Sequence, residues 1–314
     1  MNSAPLAVVT GGAGFIGSHL VEALLNEGFR VRAVDNLSTG YRKNLDHVRD
    51  RIEFLEADLA QFASCGLAVE GATYVFHQAA IPSVPRSVAE PIESHANGPT
   101  ATLNLLEASR RAGVRRFMFA ASSSAYGETE ILPKSEDMMP RPISPYAAGK
   151  LTGEHYVRVY AQTMGLDGAS LRYFNIFGPR QDPHSPYSGV ISLFAKQMRA
   201  GQSPTILGDG LQSRDFTYVG NVVSANLLAM KSAKPLGGEV FNVGTGRRIT
   251  LLQLVDTINT ALGSSIEPKF GPTRPGDVMH SQAALDKIEA ALGYRPLVDF
   301  EEGLRLTLSA GVGQ

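Results

Sequence analysis

A tyrosine and a lysine four residues apart, in Ser144-Pro-Tyr146-Ala-Ala-Gly-Lys150, carry the sharpest chemical suggestion in the chain. The proline suits the first turn of a helix, and the i, i+4 spacing stacks the two side chains on one face, with the ammonium beside the phenol. A free tyrosine loses its proton near pH ~10 and a fixed positive charge favours the phenolate, so Tyr146 is expected to act as a base near neutral pH. Alone the pair is weak evidence: with ten tyrosines, such a spacing arises by chance in roughly half of chains this size. No other tyrosine has a lysine at the fourth position after it, and context has to decide.

That context begins at the N-terminus. The apolar run Leu6 to Thr10 ends in Gly11-Gly-Ala-Gly14-Phe-Ile-Gly17, after which Ile16, Leu20, Ala23 and Leu24 recur at helical spacing. Strand, glycine turn and helix in that order let the backbone approach a diphosphate and meet its charge with the unpaired N–H groups of the helix start. A second apolar strand, Phe29 to Val34, ends in Asp35, about twenty residues past the glycines, where a carboxylate accepts hydrogen bonds from the adenine ribose diol. Asp35 favours NAD over NADP, because it would repel a 2′-phosphate. Arg42 and Lys43, close in sequence, leave NADP open. The spacing is G-x-x-G-x-x-G rather than G-x-G-x-x-G, so the turn too needs its sequel. Strands recur at Ile52–Asp58, Thr73–Ala80 and Arg116–Ala121, separated by helical segments such as Ile92–Ala112. This pattern is an α/β fold with a Rossmann-type, doubly wound parallel sheet. Ligands on such sheets lie at the carboxyl ends of the strands, where Asp58, Ala79, Ala80 and Ser122 to Ser124 fall.

The composition is that of an ordinary globular chain: 314 residues, 43% hydrophobic, 19% charged, net charge −1. Basic residues are scattered, so no nucleic-acid or membrane-surface footprint is visible and a small-molecule partner is the default. The single Cys65 excludes an intrachain disulfide and fits a reducing compartment. No apolar run reaches membrane-spanning length and the start reads as a strand rather than a signal peptide, so a cytoplasmic location is expected. The seven histidines show no metal-ligand spacing, so no metal is expected, and His77 and His280 read as packing or hydrogen-bonding residues.

After a strand at Leu166–Tyr173 the alternation breaks up and proline and glycine thicken. The sequence therefore predicts a Rossmann domain over 1–171, with 213–244 returning to it, and a smaller C-terminal substrate-binding domain over 172–314. Gly244-Thr-Gly246 reads as a turn into the helix that Leu252, Val255 and Ile258 describe, in preference to a second nucleotide loop.

Thr10 to Gly17, Asp35, Asp58-Leu59, His77-Gln-Ala-Ala80, Asn97, Ser122 and Tyr146-x-x-x-Lys150 together resemble the extended short-chain dehydrogenase/reductases. Within them the chain is most similar, over nearly its whole length, to the UDP-hexose 4-epimerases, particularly the bacterial branch that accepts N-acetylated sugars. The resemblance implies catalytic roles for Ser122, Tyr146 and Lys150. It implies NAD contacts from Gly11, Gly14, Phe15, Ile16, Gly17, Asp35, Asn36, Asp58, Leu59, Ala79, Ala80, Asn97, Tyr146, Lys150 and Phe174. For a UDP-sugar it implies Ser123, Ser124 and Asn175, with Arg214 and Arg274 on phosphate oxygens, Asp277 on the uridine ribose and Ser281 against the C2 substituent. A planar guanidinium matches phosphate oxygens in pairs, though each arginine could equally form an ion pair with Asp215 or Asp277. The activity implied is NAD-dependent inversion at C4 of a UDP-hexose through a 4-keto sugar, in a homodimer joined by the helices near 92–112 and 145–164.

Four positions refine the resemblance. Related 4,6-dehydratases carry a carboxylate pair where Ser123 and Ser124 stand, and decarboxylases a glutamate at the second, so elimination and decarboxylation are disfavoured. A small polar run after a strand can equally be a plain turn. Relatives restricted to UDP-glucose and UDP-galactose carry a tyrosine where Ser281 stands, so UDP-GlcNAc and UDP-GalNAc are expected to be accepted as well. In Asn97-Gly-Pro-Thr100 relatives more often keep a Val or Thr after the Asn, and Pro99 unsettles only the local helix start. UDP-glucuronate 4-epimerisation, another nucleotide-sugar oxidoreductase activity or non-catalytic NAD sensing stay open.

Overall fold

The computed structural model describes residues 4–182, 189–273 and 279–310. Seven strands form the central sheet: β1 (Leu6–Thr10), β2 (Arg30–Asp35), β3 (Glu53–Glu56), β4 (Tyr74–His77), β5 (Arg116–Ser122), β6 (Gly168–Tyr173) and β7 (Glu239–Val243). Their order is β7-β6-β5-β4-β1-β2-β3, and the pairings β1–β2, β1–β4, β2–β3 and β4–β5 are parallel. The chain winds outward from β1 in one direction, returns at β4 and winds outward in the other. The split between β1 and β4 is the switch point at which such sheets open a ligand crevice.

All five residues of β1 are buried, as expected of a central strand covered on both faces. Register aligns the carboxyl ends: Thr10 pairs with Val34 and His77, Asp35 with Glu56, and His77 with Phe119. Gly11, Asp35, Asp58, Ala79 and Ser122 therefore leave the sheet at one edge. The core around them joins Val8, Leu105, Phe117, Phe119, Val157 and Tyr160.

The helix Pro145–Thr163 starts as its sequence predicts, with Pro145 in the first turn and the Ser144 hydroxyl accepting from the Ala147 amide at 3.2 Å. It packs directly on β5. A Cβ on Gly153 would lie 2.4 Å from Cζ of Phe119, so only glycine permits this approach. The predicted helical segment 92–112 consists of Pro91–His95, a wide π turn at Ala96–Thr100 and the helix Ala101–Arg111. Pro99 causes the widening, since it has no N–H to give and its ring crowds the preceding turn. A Cβ on Gly149 would touch Pro99 Cδ at 3.2 Å, so the bulge leans on the helix that carries Tyr146 and Lys150.

Two compact units emerge. One comprises Met1–Gly127, Met139–Arg172 and Val223–Phe241; the other comprises Glu128–Met138, Tyr173–Val222 and Asn242–Gln314. The returning segment is thus shorter than 213–244. Glu128–Met138 groups with the second unit because the Lys134 amide donates to Gln282 O, its carbonyl accepts from Ala284, and the Glu136 carboxylate accepts from the Asn242 amide. The second unit is built from short strand pairs, Asn175–Phe177 with Phe216–Tyr218, Ser213–Arg214 with Ile249–Thr250, and Thr205–Leu207 with Lys269–Gly271. Its core gathers Phe177, Phe194, Ile206, Phe216, Leu254, Phe300 and Leu304.

Candidate active site

In the first unit the glycine turn is held from several sides. Gly11 takes φ +64°, and a Cβ there would lie 2.8 Å from the Ala79 amide nitrogen. At Gly17 a Cβ would overlap the Gly11 carbonyl, so both glycines are required by close approach. The helix Phe15–Asn26 follows, capped by extended Gly14 with no capping side chain and no acidic residue in its first turn. Asp35 is buried and accepts the Ala13 amide at 2.9 Å on one oxygen and the Leu37 amide at 2.8 Å on the other. Burial raises its carboxyl above the usual range, and those two bonds oppose the rise. Arg42 is engaged elsewhere, 2.7 Å from Glu56 and stacked over Phe54.

Around this turn, Asn36 closes a local turn onto the Ser38 amide, Asp58 onto the Ala60 amide, and Asn97 donates to the Glu93 carbonyl inside the π turn. Leu59 is buried, its carbonyl accepting from Asn104. The Ala79 amide donates to the Thr10 hydroxyl at 3.2 Å. That hydroxyl also meets His77 Nδ1 at 2.8 Å, and His77 Nε2 meets the Thr102 hydroxyl at 3.0 Å. His77 is fully buried, and burial pushes its pKa down to about 3, with the Lys150 charge adding to the effect.

Tyr146, Lys150 and Ser122 converge at the end of β5. The Lys150 ammonium donates to the Ala120 carbonyl at 2.6 Å and lies 5.0 Å over the Phe119 ring. Burial pushes it down to about 8, against the pull of the Glu154 carboxylate one turn on, so it stays mostly protonated at neutral pH. Glu154 is itself clamped by Arg172 at 2.7 and 2.8 Å, both side chains buried. Burial raises the Tyr146 phenol above its ordinary value, and the Ser122 side chain acts in the opposite direction. The expectation that Lys150 holds the Tyr146 phenol below its ordinary value is therefore not met in the chain by itself, where burial is the larger effect; the ammonium keeps its charge while donating to the Ala120 carbonyl. Ser122 also caps the short 3-10 turn Ser123–Tyr126, accepting from the Ser124 amide at 3.2 Å, so turn and chemistry coexist in one residue.

Phe174, Asn175, Arg214 and Ser281 lie in the second unit, Phe174 buried with its amide on Val243 O. Asn175 opens its strand, and its side-chain oxygen accepts from the Ser281 hydroxyl at 3.3 Å. Ser281 is 6% exposed and also accepts the Asp215 amide at 3.4 Å. Arg214 donates to the carbonyls of Ser213 and Met279 at 3.1 and 3.2 Å. It forms no ion pair with Asp215, whose fully buried carboxylate is held by the amides of Thr245, Gly246 and Ala283 and the hydroxyls of Thr245 and Thr217. The Gly244–Gly246 turn thus spends its amides on an internal carboxylate. Helix entry falls to Thr250, which forms a capping box with Gln253 at the head of Leu251–Leu262. Ser213 likewise meets His280 Nδ1 at 2.8 Å. Arg274 and Asp277 lie outside the described residues.

A family model described as the NAD dependent epimerase/dehydratase family matches residues 7–244. The chain belongs to the NAD-dependent epimerase/dehydratase family. Among its relatives, a UDP-glucose 4-epimerase of Mycolicibacterium smegmatis is 40% identical over 305 residues, 96% of each chain. A UDP-N-acetylglucosamine 4-epimerase from Methanobrevibacter ruminantium, solved with UDP-N-acetylmuramic acid, superposes with TM-score 0.93 at 40% identity over 98% of both chains. The Thermus thermophilus UDP-glucose 4-epimerase, solved with NAD, superposes with TM-score 0.88 at 41% identity, covering 97% of this chain and 98% of that one.

The first unit of this family member fits the dinucleotide. The close approach of the glycines leaves no Cβ over the turn, the uncapped helix start has amides to offer a diphosphate, and each Asp35 oxygen keeps a lone pair for a ribose hydroxyl. Sequence reading did not reach the Thr10–His77–Thr102 bonds, the Glu154–Arg172 clamp, the link from Ser124 to Ser122 or the Asp215 cradle. Of these, only Glu154 carried a signal, sitting four residues past Lys150 on the same helix face.

Proposed function

We propose that this family member is an NAD-dependent UDP-hexose 4-epimerase, acting on UDP-glucose and UDP-galactose and on their N-acetylated counterparts through a 4-keto sugar. The convergence of Tyr146, Lys150 and Ser122 at the carboxyl edge of the sheet, with the Lys150 ammonium on the Ala120 carbonyl, carries the reading, because it brings a proton-transferring phenol to the strand ends that fit the dinucleotide. Likeness over nearly the whole chain to UDP-sugar 4-epimerases supports the substrate class.

Gly11, Gly14, Phe15, Ile16 and Gly17 would hold the diphosphate of NAD, Asp35 and Asn36 the adenine ribose, Asp58 and Leu59 the adenine, and Ala79, Ala80, Asn97 and Phe174 the remainder. When bound, NAD supplies the acceptor and donor of hydride and a further positive charge beside the phenol. Tyr146 takes the proton of the sugar 4-hydroxyl and returns it after the ring has turned. Ser122 holds the same oxygen by hydrogen bond, and protonated Lys150 adds the positive charge that favours the phenolate. Ser123, Ser124, Asn175 and Arg214 bind the substrate, and Arg274 and Asp277 complete the set; a tether at the diphosphate keeps the ketone from leaving between half-reactions. Ser281, small and almost buried, supports acceptance of an N-acetyl group.

We assign the protein to the cytoplasm and to a homodimer. No helix among the described residues is long and apolar enough to cross a membrane. Val88 and Ile92, 64% and 83% exposed, and the half-exposed Val159 give the helices of the proposed interface apolar faces. Light scattering on the purified protein tests the dimer. The reaction is tested by incubation with UDP-GlcNAc, UDP-glucose and UDP-glucuronate separately, without added NAD, and NMR of the products. Both 4-epimers at constant total sugar nucleotide are expected from the first two. Accumulating NADH, or turnover of UDP-glucuronate alone, refutes the reading.

A further inference from the structure

Size is one property of Ser281, and its hydroxyl is another. The side chain is almost buried, and among the described residues its oxygen has two partners. It accepts the Asp215 amide at 3.4 Å and donates to Asn175 Oδ1 at 3.3 Å. The direction of the second bond follows from the atoms, since a carboxamide oxygen has lone pairs and no proton. The opposite turn of the carboxamide would bring Nδ2 to an oxygen that already receives one N–H, and would leave the buried Ser281 proton without an acceptor. Backbone bonds hold the pair in place. The Ser281 amide donates to Ser213 O and the Asn175 amide to Asp215 O, each at 3.0 Å, so one short stretch fixes two residues 106 positions apart. Asn175 is exposed at the head of its strand, and its Nδ2 has no partner among the described residues.

We propose that Ser281 is a positioning residue for substrate binding: by taking the carboxamide oxygen of Asn175, its hydroxyl leaves the NH2 group as the ligand-facing end, which donates to an oxygen of the sugar nucleotide. The assignment rests on the UDP-hexose reading and gives Ser281 a second role, separate from the room it leaves at C2. An asparagine free to turn would spend part of its time offering an oxygen, which repels the acceptor oxygens of a phosphate or a sugar. Fixing its polarity removes that loss before the ligand arrives. The gain applies to every UDP-hexose alike, so losing the hydroxyl costs affinity while turnover at saturation survives.

The test is a double-mutant cycle at positions 281 and 175 in the full chain. Binding of UDP-glucose and UDP-GlcNAc is read by calorimetry with Tyr146→Phe present throughout, so that no turnover intervenes, and kcat and KM are read with Tyr146 restored. Ser281→Ala keeps the residue small and loses the donor. It should weaken binding and raise KM about three- to tenfold for both sugars, with kcat little changed. In the Asn175→Ala background the same substitution should change binding by less than about twofold, because Ser281 acts through Asn175. Ser281→Thr keeps the hydroxyl and should bind UDP-glucose as the parent does. Unchanged binding in Ser281→Ala, or an equal loss in both backgrounds, overturns the proposal even where epimerisation is confirmed. Should an alanine variant not fold, Ser281→Cys, a poor donor of similar size, or Asn175→Ser takes its place in the cycle. A loss confined to the Asn175 background, in a protein that binds UDP-hexoses and epimerises none, upholds the proposal and overturns the epimerase reading. A parent that binds neither sugar nucleotide overturns both.

Discussion

His77 links the sheet's stability to pH, and the link has a predictable size. The ring is fully buried between Phe117 and Phe119, at centroid distances of 5.8 and 5.7 Å, with both nitrogens on threonine hydroxyls. Burial pushes its pKa down to about 3, whereas in the unfolded chain it lies near ~6.5. Between those values the unfolded state takes a proton that the folded state refuses, so stability rises with pH across this window and is lost as pH falls from about 6.5 towards 3. At about pH 5 the loss from this one group is ~2 kcal/mol. His77→Gln removes the titration and keeps a polar chain, at a cost of ~1–3 kcal/mol near pH 7.5 from lost packing and hydrogen bonding. The stability gap between parent and variant should then shrink by ~2 kcal/mol on going from about pH 7.5 to about pH 5, while carboxylate titrations common to both cancel. Urea unfolding followed by circular dichroism measures this, the chain having no tryptophan. A gap that stays constant over that range would refute the assignment of a neutral, proton-refusing His77.

Three further outcomes are expected. Tyr146→Phe should lower turnover of UDP-sugars by roughly 10²-fold or more while leaving the dinucleotide content unchanged, read by NMR and by absorbance of the heat-denatured extract. Ser281→Tyr should abolish activity on UDP-GlcNAc and spare UDP-glucose; retained activity on the N-acetyl sugar disposes of the specificity argument. Gly153→Ala drives a methyl into the Phe119 ring, so it should destabilise by ~1–3 kcal/mol and raise KM for the sugar nucleotide by displacing the Tyr146 helix, checked by thermal unfolding alongside kinetics.

The first unit was legible because its signals are local. Gly11 to Gly17, Asp35 and the Tyr146–Lys150 pair each fall within one turn or one strand end, and their periodicity fixes which element carries them. The electrostatics of Tyr146 were not legible. They depend on burial that no spacing reveals, just as no spacing reveals that Lys150 reaches back thirty residues to the Ala120 carbonyl. His77 read only as a packing or bonding histidine, since its partners Thr10 and Thr102 are 67 and 25 residues away. In the second unit, strands of two or three residues give no period to read, and pairs such as Ser213–Arg214 with Ile249–Thr250 are set by tertiary contact alone.

The Asp215 cradle gives the substrate side of the molecule a common mechanical reference. One carboxylate gathers three stretches of chain, reaching Thr217, the Gly244–Gly246 turn and Ala283 through five donors, three of them backbone amides that no substitution other than proline removes. Arg214 precedes it directly, and Ser281 bonds its amide. Displacing any one stretch would strand a buried charge, so Arg214 and Ser281 keep their spacing as a unit. Substrate range in such a scaffold is free to change by exchange of the side chain at 281, whereas remodelling of the backbone beneath it is closed off.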